Sequence, residues 1–295
     1  MLSLLSASGA ADPIYWAELG LRPYLFKLGW FELKFYSLAY LLGVIFAYWH
    51  VSKMLKQPGA PMAQRHADDL FFYCTLGVIL GGRLGYAAFY QPELFTSFEG
   101  DGFVSWRLLR LWDGGMSFHG GLLGVMAAMA WVSWSGKLDF IRVTDYVATT
   151  VPMGMFLGRL ANFNNGELWG RPTDVSWGMV FPGGGEIVRH PSQLYQAGLE
   201  GLLLLIILLL VFWKTNARYR RGLLVGIFLL GIGVARFVAE FFREPDKELA
   251  HRVVETGLSQ GQWLTIPLIL LGLAVTAIAV MRKPVGTGGA KPAAT

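Results

Sequence analysis

The sequence is poor in charge and in cysteine. Asp, Glu, Lys and Arg together make up 15% of its 295 residues, against about 25% in average soluble proteins. That balance excludes a disordered, charge-rich chain and a nucleic-acid module. Cys74 is the single cysteine, so no internal disulfide can form and a disulfide scaffold is excluded. Its neighbours (Phe-Phe-Tyr-Cys-Thr-Leu-Gly-Val) are those of an inert, buried thiol. There is no His-Glu-x-x-His, no Cys/His cluster, no Gly-x-Ser-x-Gly elbow and no phosphate-binding P-loop. No metal, haem, flavin or other cofactor is therefore expected.

What the chain has in abundance is apolar surface: 54% of residues are hydrophobic and the mean hydropathy is +0.45. A membrane-spanning helix needs about 20 mostly apolar residues. Seven stretches qualify: Phe35–Val51, Leu70–Tyr90, Met116–Gly136, Tyr146–Phe163, Leu194–Trp213, Gly222–Phe242 and Gly261–Met281. The fold class expected is an all-α integral membrane protein of seven transmembrane helices, one domain over residues 1–283 with a disordered tail, 284–295. The N-terminal segment carries no basic residue before its short apolar run and reads as retained.

Seven spans place the termini on opposite sides. Four basic residues (Lys214, Arg218, Arg220 and Arg221) crowd the shortest clear loop, which the positive-inside rule assigns to the cytoplasm. The N-terminus then faces outward, the C-terminus inward, and the long loops 91–115 and 164–193 lie outside. The net charge of +5 reflects such loops beside anionic lipid. Glycines four apart (Gly77, Gly81 and Gly85; Gly120 and Gly124) predict close helix contacts.

A charge at the centre of a span costs about 2.5–3.5 kcal/mol on insertion scales, so each one calls for a reason. With this topology they converge on one level near the outer leaflet. Arg83 lies in the outward half of the second span, His119 at the outer end of the third, and Arg159 and Asn162 at the outer end of the fourth. Arg236, Glu240 and Arg243 follow at i, i+4 and i+7, the spacing of one helical stripe. A guanidinium fork matches phosphate oxygens two at a time, and at headgroup depth the abundant phosphate belongs to a phospholipid. The bland alternatives are snorkelling side chains and interhelical ion pairs. His119 sits between glycines in Met116-Ser-Phe-His-Gly-Gly121 and suits proton abstraction near neutral pH. His190 and Tyr195, in Arg189-His-Pro-Ser-Gln-Leu-Tyr195, read as supporting members.

The segment Gly158-Arg-Leu-Ala-Asn-Phe-Asn-Asn-Gly-Glu-Leu-Trp-Gly-Arg171 strongly resembles the signature of the bacterial phosphatidylglycerol–prolipoprotein diacylglyceryl transferase family. The similarity continues in LGGRLGYAAFY (80–90), LWDGGMSFHGG (111–121), RHPSQLYQ (189–196) and ARFVAEFFREPD (235–246). The resemblance implies a seven-helix enzyme of the bacterial inner membrane with its active site toward the periplasm. Such an enzyme moves the diacylglyceryl group of phosphatidylglycerol onto the lipobox cysteine thiol of a prolipoprotein. A thioether forms and glycerol-1-phosphate leaves, in the first step of lipoprotein maturation. Phosphatidylglycerol, prolipoproteins and membrane lipid are thus the expected partners.

Carried over residue by residue, the resemblance marks Arg159, Asn162, Glu167 and Gly170 in the signature, His119, Tyr36 in the first helix, and Arg236 and Glu240 in the sixth. Combined with the charges above, it makes His119, Arg159 and Arg236 the expected catalytic residues. Tyr36, Arg83, Arg159, Asn162, Glu167, Gly170, Glu240 and Arg243 are expected to hold the phospholipid. Two positions depart from the family's pattern: Ile232 stands where a tyrosine is common, and Ala161 where a glycine is common. A hydroxyl role at 232 would have to come from elsewhere, for example from Tyr86 or Tyr195. Two rival classes are a lipid or anionic-solute transporter, which predicts pseudo-symmetric halves and broken helices, and an intramembrane hydrolase that uses His119 to activate water.

Overall fold

Apolar runs of this length propagate as helices, because every backbone donor and acceptor must be satisfied within the segment once water is absent. The computed structural model describes residues 13–29, 31–95, 106–111, 114–244 and 257–285. The N-terminal segment, the tail beyond 285, and Trp112 and His251 lie outside them.

The main helices are α1 (Phe35–Leu55), α2 (Gln64–Phe89), the single turn α3 (Trp106–Leu109), α4 (Phe118–Ser135), α5 (Phe140–Ala148) and α6 (Val151–Asn164). A long helix, Ser192–Lys214, follows, made of α7 (Ser192–Gln196), a π-helical segment (Ala197–Leu203) and α8 (Leu204–Lys214). The chain then forms α9 (Leu223–Ala239) and α10 (Gln260–Met281). By length and composition, α1, α2, Ser192–Lys214 and α10 can each cross a membrane, and α9 is a shorter apolar helix. Only 17–39% of the most apolar window of each long helix is buried within the protein. Leu41, Leu42, Leu84, Leu264 and Leu270 remain exposed, an extent of apolar surface that water does not tolerate and lipid does. The molecule is an all-α membrane protein.

Two stretches are interrupted where the sequence suggested continuous spans. The fourth, expected from Tyr146 to Phe163, is two helices: α5 ends at Ala148, and α6 starts with Pro152 in its first turn. Proline has no N–H to donate and clashes with the carbonyl four residues back. The Thr149 and Thr150 hydroxyls donate instead to the Tyr146 and Val147 carbonyls. The sixth ends at Ala239, so Glu240 caps the helix and Arg243 lies beyond it, bridged to Gly170. The single stripe expected of Arg236, Glu240 and Arg243 is therefore part helix and part turn.

The predicted glycine contact is present between α2 and α4. A Cβ on Gly81 or Gly120 would collide with the backbone of the facing helix, so only glycine admits the two chains this close. Elsewhere α1 packs on α6, the π segment on α6, and α9 on α10. Met54, Tyr146, Leu208, Phe212 and Leu224 form the heart of the apolar core.

Small β elements sit at one end of the bundle. Strand β1 (Ile14–Tyr15) pairs in parallel with β4 (Met179–Val180), which pairs antiparallel with β5 (Val188–Arg189). Strands β2 (Tyr24–Leu28) and β3 (Phe31–Lys34) make an antiparallel hairpin that leads into α1. The loop between α6 and α7 is thereby stitched over the ends of α6 and α9.

Candidate functional site

Beneath this β cap, the start of α1, the end of α6, the π segment and the end of α9 bring their polar side chains together. Arg159 and Asn162 are on one face of α6, and Arg159 Nη1 donates to Asn162 Oδ1 at 3.4 Å. Asn162 Nδ2 donates to Tyr36 Oη (3.1 Å) and to Glu167 Oε1 (3.0 Å). Asn165 adds a donor to the same Glu167 oxygen at 3.1 Å, and Gln193 Nε2 donates to the Glu167 carbonyl at 2.7 Å. The loop after α6 makes this possible by turning sharply, with Gly166 and Leu168 both at positive φ. Leu168 at φ 57 is strained backbone for a branched side chain; the Ser192 hydroxyl holds its carbonyl.

A second row continues from Arg159. Its Nη2 lies 3.7 Å from Glu200 Oε2, and Glu200 Oε1 lies 3.5 Å from Arg236 Nη1. Arg236 Nη2 reaches Glu240 Oε1 at 2.9 Å, and Arg243 Nη1 reaches the same oxygen at 3.1 Å. The Ser259 hydroxyl occupies the other Glu240 oxygen at 3.0 Å. Gly261 leaves room for this carboxylate, since a Cβ there would meet it. The carboxylates are nearly sealed, with Glu200 1% and Glu240 3% exposed, whereas the Arg159, Arg236 and Arg243 side chains keep 21–24% of their surface. A guanidinium fork can match the oxygens of a phosphate or carboxylate, and here three lie beside buried acids with part of each side chain exposed.

Glu200 is the member that sequence reasoning missed. The same rule that singled out the arginines applied to it: a lone carboxylate in the apolar run Leu199-Glu-Gly-Leu-Leu-Leu-Leu-Ile206 needs a partner.

Gly170 joins the cap to the site. It donates its N–H to the His190 carbonyl, and a Cβ there would strike His190 and the Phe242 carbonyl. Arg171 donates to the Arg243 carbonyl, which anchors the end of α9. Arg189 stacks over Trp169 at 4.2 Å and donates to the Gly170 carbonyl. Tyr195 Oη accepts from Trp177 Nε1 at 2.6 Å and meets His190 Nδ1 at 3.1 Å. Burial pushes the His190 imidazole below its ordinary pKa of 6.5.

Two expected members stand apart. Arg83 is buried on α2, but its guanidinium donates to the carbonyls of Arg107, Leu108, Gly114 and Gly115. It ties down the loop that leads into α4, and those donors are not turned to the arginine row. His119 is exposed in the first turn of α4, beside the Phe118 ring. No hydrogen bond or ion pair joins it to the row among the described residues. Ile232 packs against the apolar core. Two hydroxyls reach the row, that of Tyr36 through Asn162 and that of Ser259 on Glu240, and neither Tyr86 nor Tyr195 does among the described contacts.

The family model described as prolipoprotein diacylglyceryl transferase matches residues 23–278. A phosphatidylglycerol–prolipoprotein diacylglyceryl transferase of Erythrobacter litoralis is 61% identical over 282 residues, covering 95% of this chain and 97% of the relative. Relatives of the same name from Zymomonas mobilis and Rhodospirillum rubrum are 46% and 44% identical. These alignments cover 88% and 91% of this chain, and 91% and 96% of the relatives. The chain belongs to the prolipoprotein diacylglyceryl transferase family.

Proposed function

We propose that this protein transfers the diacylglyceryl group of phosphatidylglycerol to the lipobox cysteine thiol of prolipoproteins, releasing glycerol-1-phosphate. One observation carries the reading beyond family membership. Arg159 and Arg236, from different helices, are held on either side of one buried carboxylate with part of each side chain exposed. Such a pair suits a phosphate whose charge grows as the bond to the glyceryl carbon breaks.

The cysteine thiolate attacks the glyceryl carbon that bears the phosphate. A carbon–sulfur bond forms, the carbon–oxygen bond to phosphate breaks, and the electron pair leaves on the phosphomonoester. Arg159 and Arg236 stabilise that charge more in the transition state than in the bound diester. Asn162, Tyr36 and Glu167 orient Arg159 and the headgroup, while Glu240 and Arg243 fix Arg236. A thiol with a pKa of about 8.5 needs help to ionise, and His119 is the base assigned here. Its side chain is exposed in the first turn of α4, where an incoming peptide can approach it. Arg83 acts through the loop it anchors ahead of α4 rather than on lipid.

In this reading the body is a single seven-helix domain in the bacterial inner membrane. The N-terminus and the arginine site face the periplasm, and the C-terminus is cytoplasmic. A transporter would use broken helices at the binding site. The α5–α6 break lies instead at the N-terminal end of α6, away from Arg159 and Asn162 near its C-terminus.

The test is purified protein in detergent with phosphatidylglycerol and a lipobox peptide, read by mass spectrometry with EDTA present. A peptide gain of one diacylglyceryl mass, absent when its cysteine is serine, is expected. Lipid consumed without that gain would mean a hydrolase. His119→Gln is expected to bind phosphatidylglycerol but lose transfer by about 10²–10⁴-fold; near-normal turnover removes His119 as the base.

A further inference from the structure

Glu200 is 1% exposed and lies in the wide π turn of an otherwise apolar helix. Such turns re-aim one side chain and often mark functional sites. The next residue, Gly201, lies so close to α6 that a Cβ there would strike the backbone of Phe156. That approach brings Glu200 alongside Arg159, three residues further along α6. The carboxylate then spans two helices, with oxygens 3.7 Å from Arg159 and 3.5 Å from Arg236. Both separations exceed hydrogen-bonding length, and Glu200 Oε1 has no hydrogen-bond partner. Glu240, by contrast, is hydrogen-bonded to Ser259 and Arg243 and lies 2.9 Å from Arg236. Glu200 therefore balances charge without a short hydrogen bond to either guanidinium.

Among the described ion pairs, Arg159, Arg236 and Arg243 face the carboxylates of Glu200 and Glu240, so removing the Glu200 charge makes this row one unit more positive. A phosphodiester headgroup carries one negative charge, whereas a phosphomonoester near neutral pH carries between about −1.5 and −2. The geometry points to Glu200 as a positioning residue that sets this balance. It keeps Arg159 and Arg236 on either side of one carboxylate, and it keeps the site from gripping the more highly charged glycerol phosphate that the reaction releases. This inference rests on the proposed transfer reaction, since it takes the leaving group from it.

The variants are Glu200→Gln, which removes the charge and keeps the shape, and Glu200→Asp, which keeps the charge on a shorter arm. Turnover, KM for phosphatidylglycerol and inhibition by glycerol-1-phosphate are measured on each in detergent. Binding of glycerol-1-phosphate is measured separately by calorimetry, without turnover. Glu200→Gln is expected to bind glycerol-1-phosphate about tenfold more tightly, the scale of one charge-assisted contact, with kcat reduced and KM not raised. Glu200→Asp is expected to keep wild-type affinity for glycerol-1-phosphate while turnover falls, because the arginine spacing changes. A merely structural glutamate would lower yield and kcat and leave product affinity alone.

Unchanged product affinity in folded Glu200→Gln overturns the proposal. If Glu200→Gln does not fold, Glu200→Asp decides: tighter product binding in that variant, or slower turnover accompanied by lower yield and a lower unfolding midpoint, overturns it, and wild-type affinity with slower turnover at wild-type yield and midpoint supports it. A wild-type protein that alkylates the lipobox peptide while Glu200→Gln binds product normally sinks this inference alone. A wild-type protein that makes no thioether sinks the functional reading beneath it.

Discussion

Both ends of the helix bundle bury charge, but they use it differently. At the end away from the β cap, Arg142, Arg220 and Asp145 finish on backbone, beside the more exposed Arg221–Asp139 ion pair. Arg142 donates to the carbonyls of Gly59 (2.5 Å) and Arg218 (3.0 Å), and Arg220 to that of Val280 (2.6 Å). Asp145 accepts the N–H groups of Gly222 (2.7 Å) and Val225 (2.9 Å), closing the first turn of α9. These contacts are short and join elements distant in sequence, as structural staples should. At the capped end Arg171 and Arg189 also reach backbone, but Arg159, Arg236 and Arg243 finish on other side chains, at up to 3.7 Å, and keep a fifth of their surface open. The Glu240 contacts there are as short as the staples, while those of Glu200 are not. A buried charge that terminates on backbone holds the fold; one balanced loosely by another side chain can still receive a ligand.

The sharpest way to break that distinction is to remove one charge from each end. Arg159→Ala is expected to cut diacylglyceryl transfer by about 10²–10³-fold, the loss seen when one donor to a developing oxyanion is removed. Its yield and thermal unfolding midpoint in detergent should stay near wild type, because Arg159 makes no contact shorter than 3.4 Å to its carboxylate or amide partners. A protein that vanishes from the membrane would make Arg159 a structural ion pair. Asp145→Ala is expected to do the reverse. Losing a cap that satisfies helix N–H groups costs about 1–2 kcal/mol of stability, so the unfolding midpoint should fall while turnover per folded molecule is unchanged. A loss of turnover without a loss of stability would erase the contrast between the ends.

Most of this site was legible in the sequence because its members violate a simple rule. Arg159 and Arg236 are charges in apolar helices, and the signature around 158–171 ties Asn162, Glu167 and Gly170 to them. Glu200 broke the same rule but went unnoticed, since its Leu-rich neighbours keep that helix at a mean hydropathy of 2.2. Its direction was not readable at all, because a π turn rotates the side chain away from the face that 3.6 periodicity assigns. Arg83 shows the opposite limit. Position alone placed it with the lipid-facing arginines, yet its partners are loop carbonyls from residues 24–32 positions later in the chain. Helix positions were read well where apolar runs are unbroken, as in α1 and α10, and poorly around Pro152, where hydropathy continues but the backbone ladder does not.

The smallest expected effect concerns the cap that holds the site in place. His190 sits where Gly170, Phe242 and Tyr195 meet, with its ring against those of Tyr195 and Phe242 at 5.7 and 5.2 Å. Burial favours the neutral imidazole and outweighs the opposing pull of Asp174. The unfolded chain therefore takes up a proton near the ordinary pKa of 6.5 before the folded chain does. By linkage, this contribution to stability is complete above that pH and declines as pH falls through it toward the lower folded value. Screening of a partly exposed group keeps the change to a fraction of about 1 kcal/mol. Thermal unfolding midpoints of wild type and His190→Gln, measured from pH 7.5 to pH 5, should converge as the solution is acidified. Parallel curves would mean that the cap tolerates a charged His190, leaving Gly170 and Arg171 to dock it onto α9.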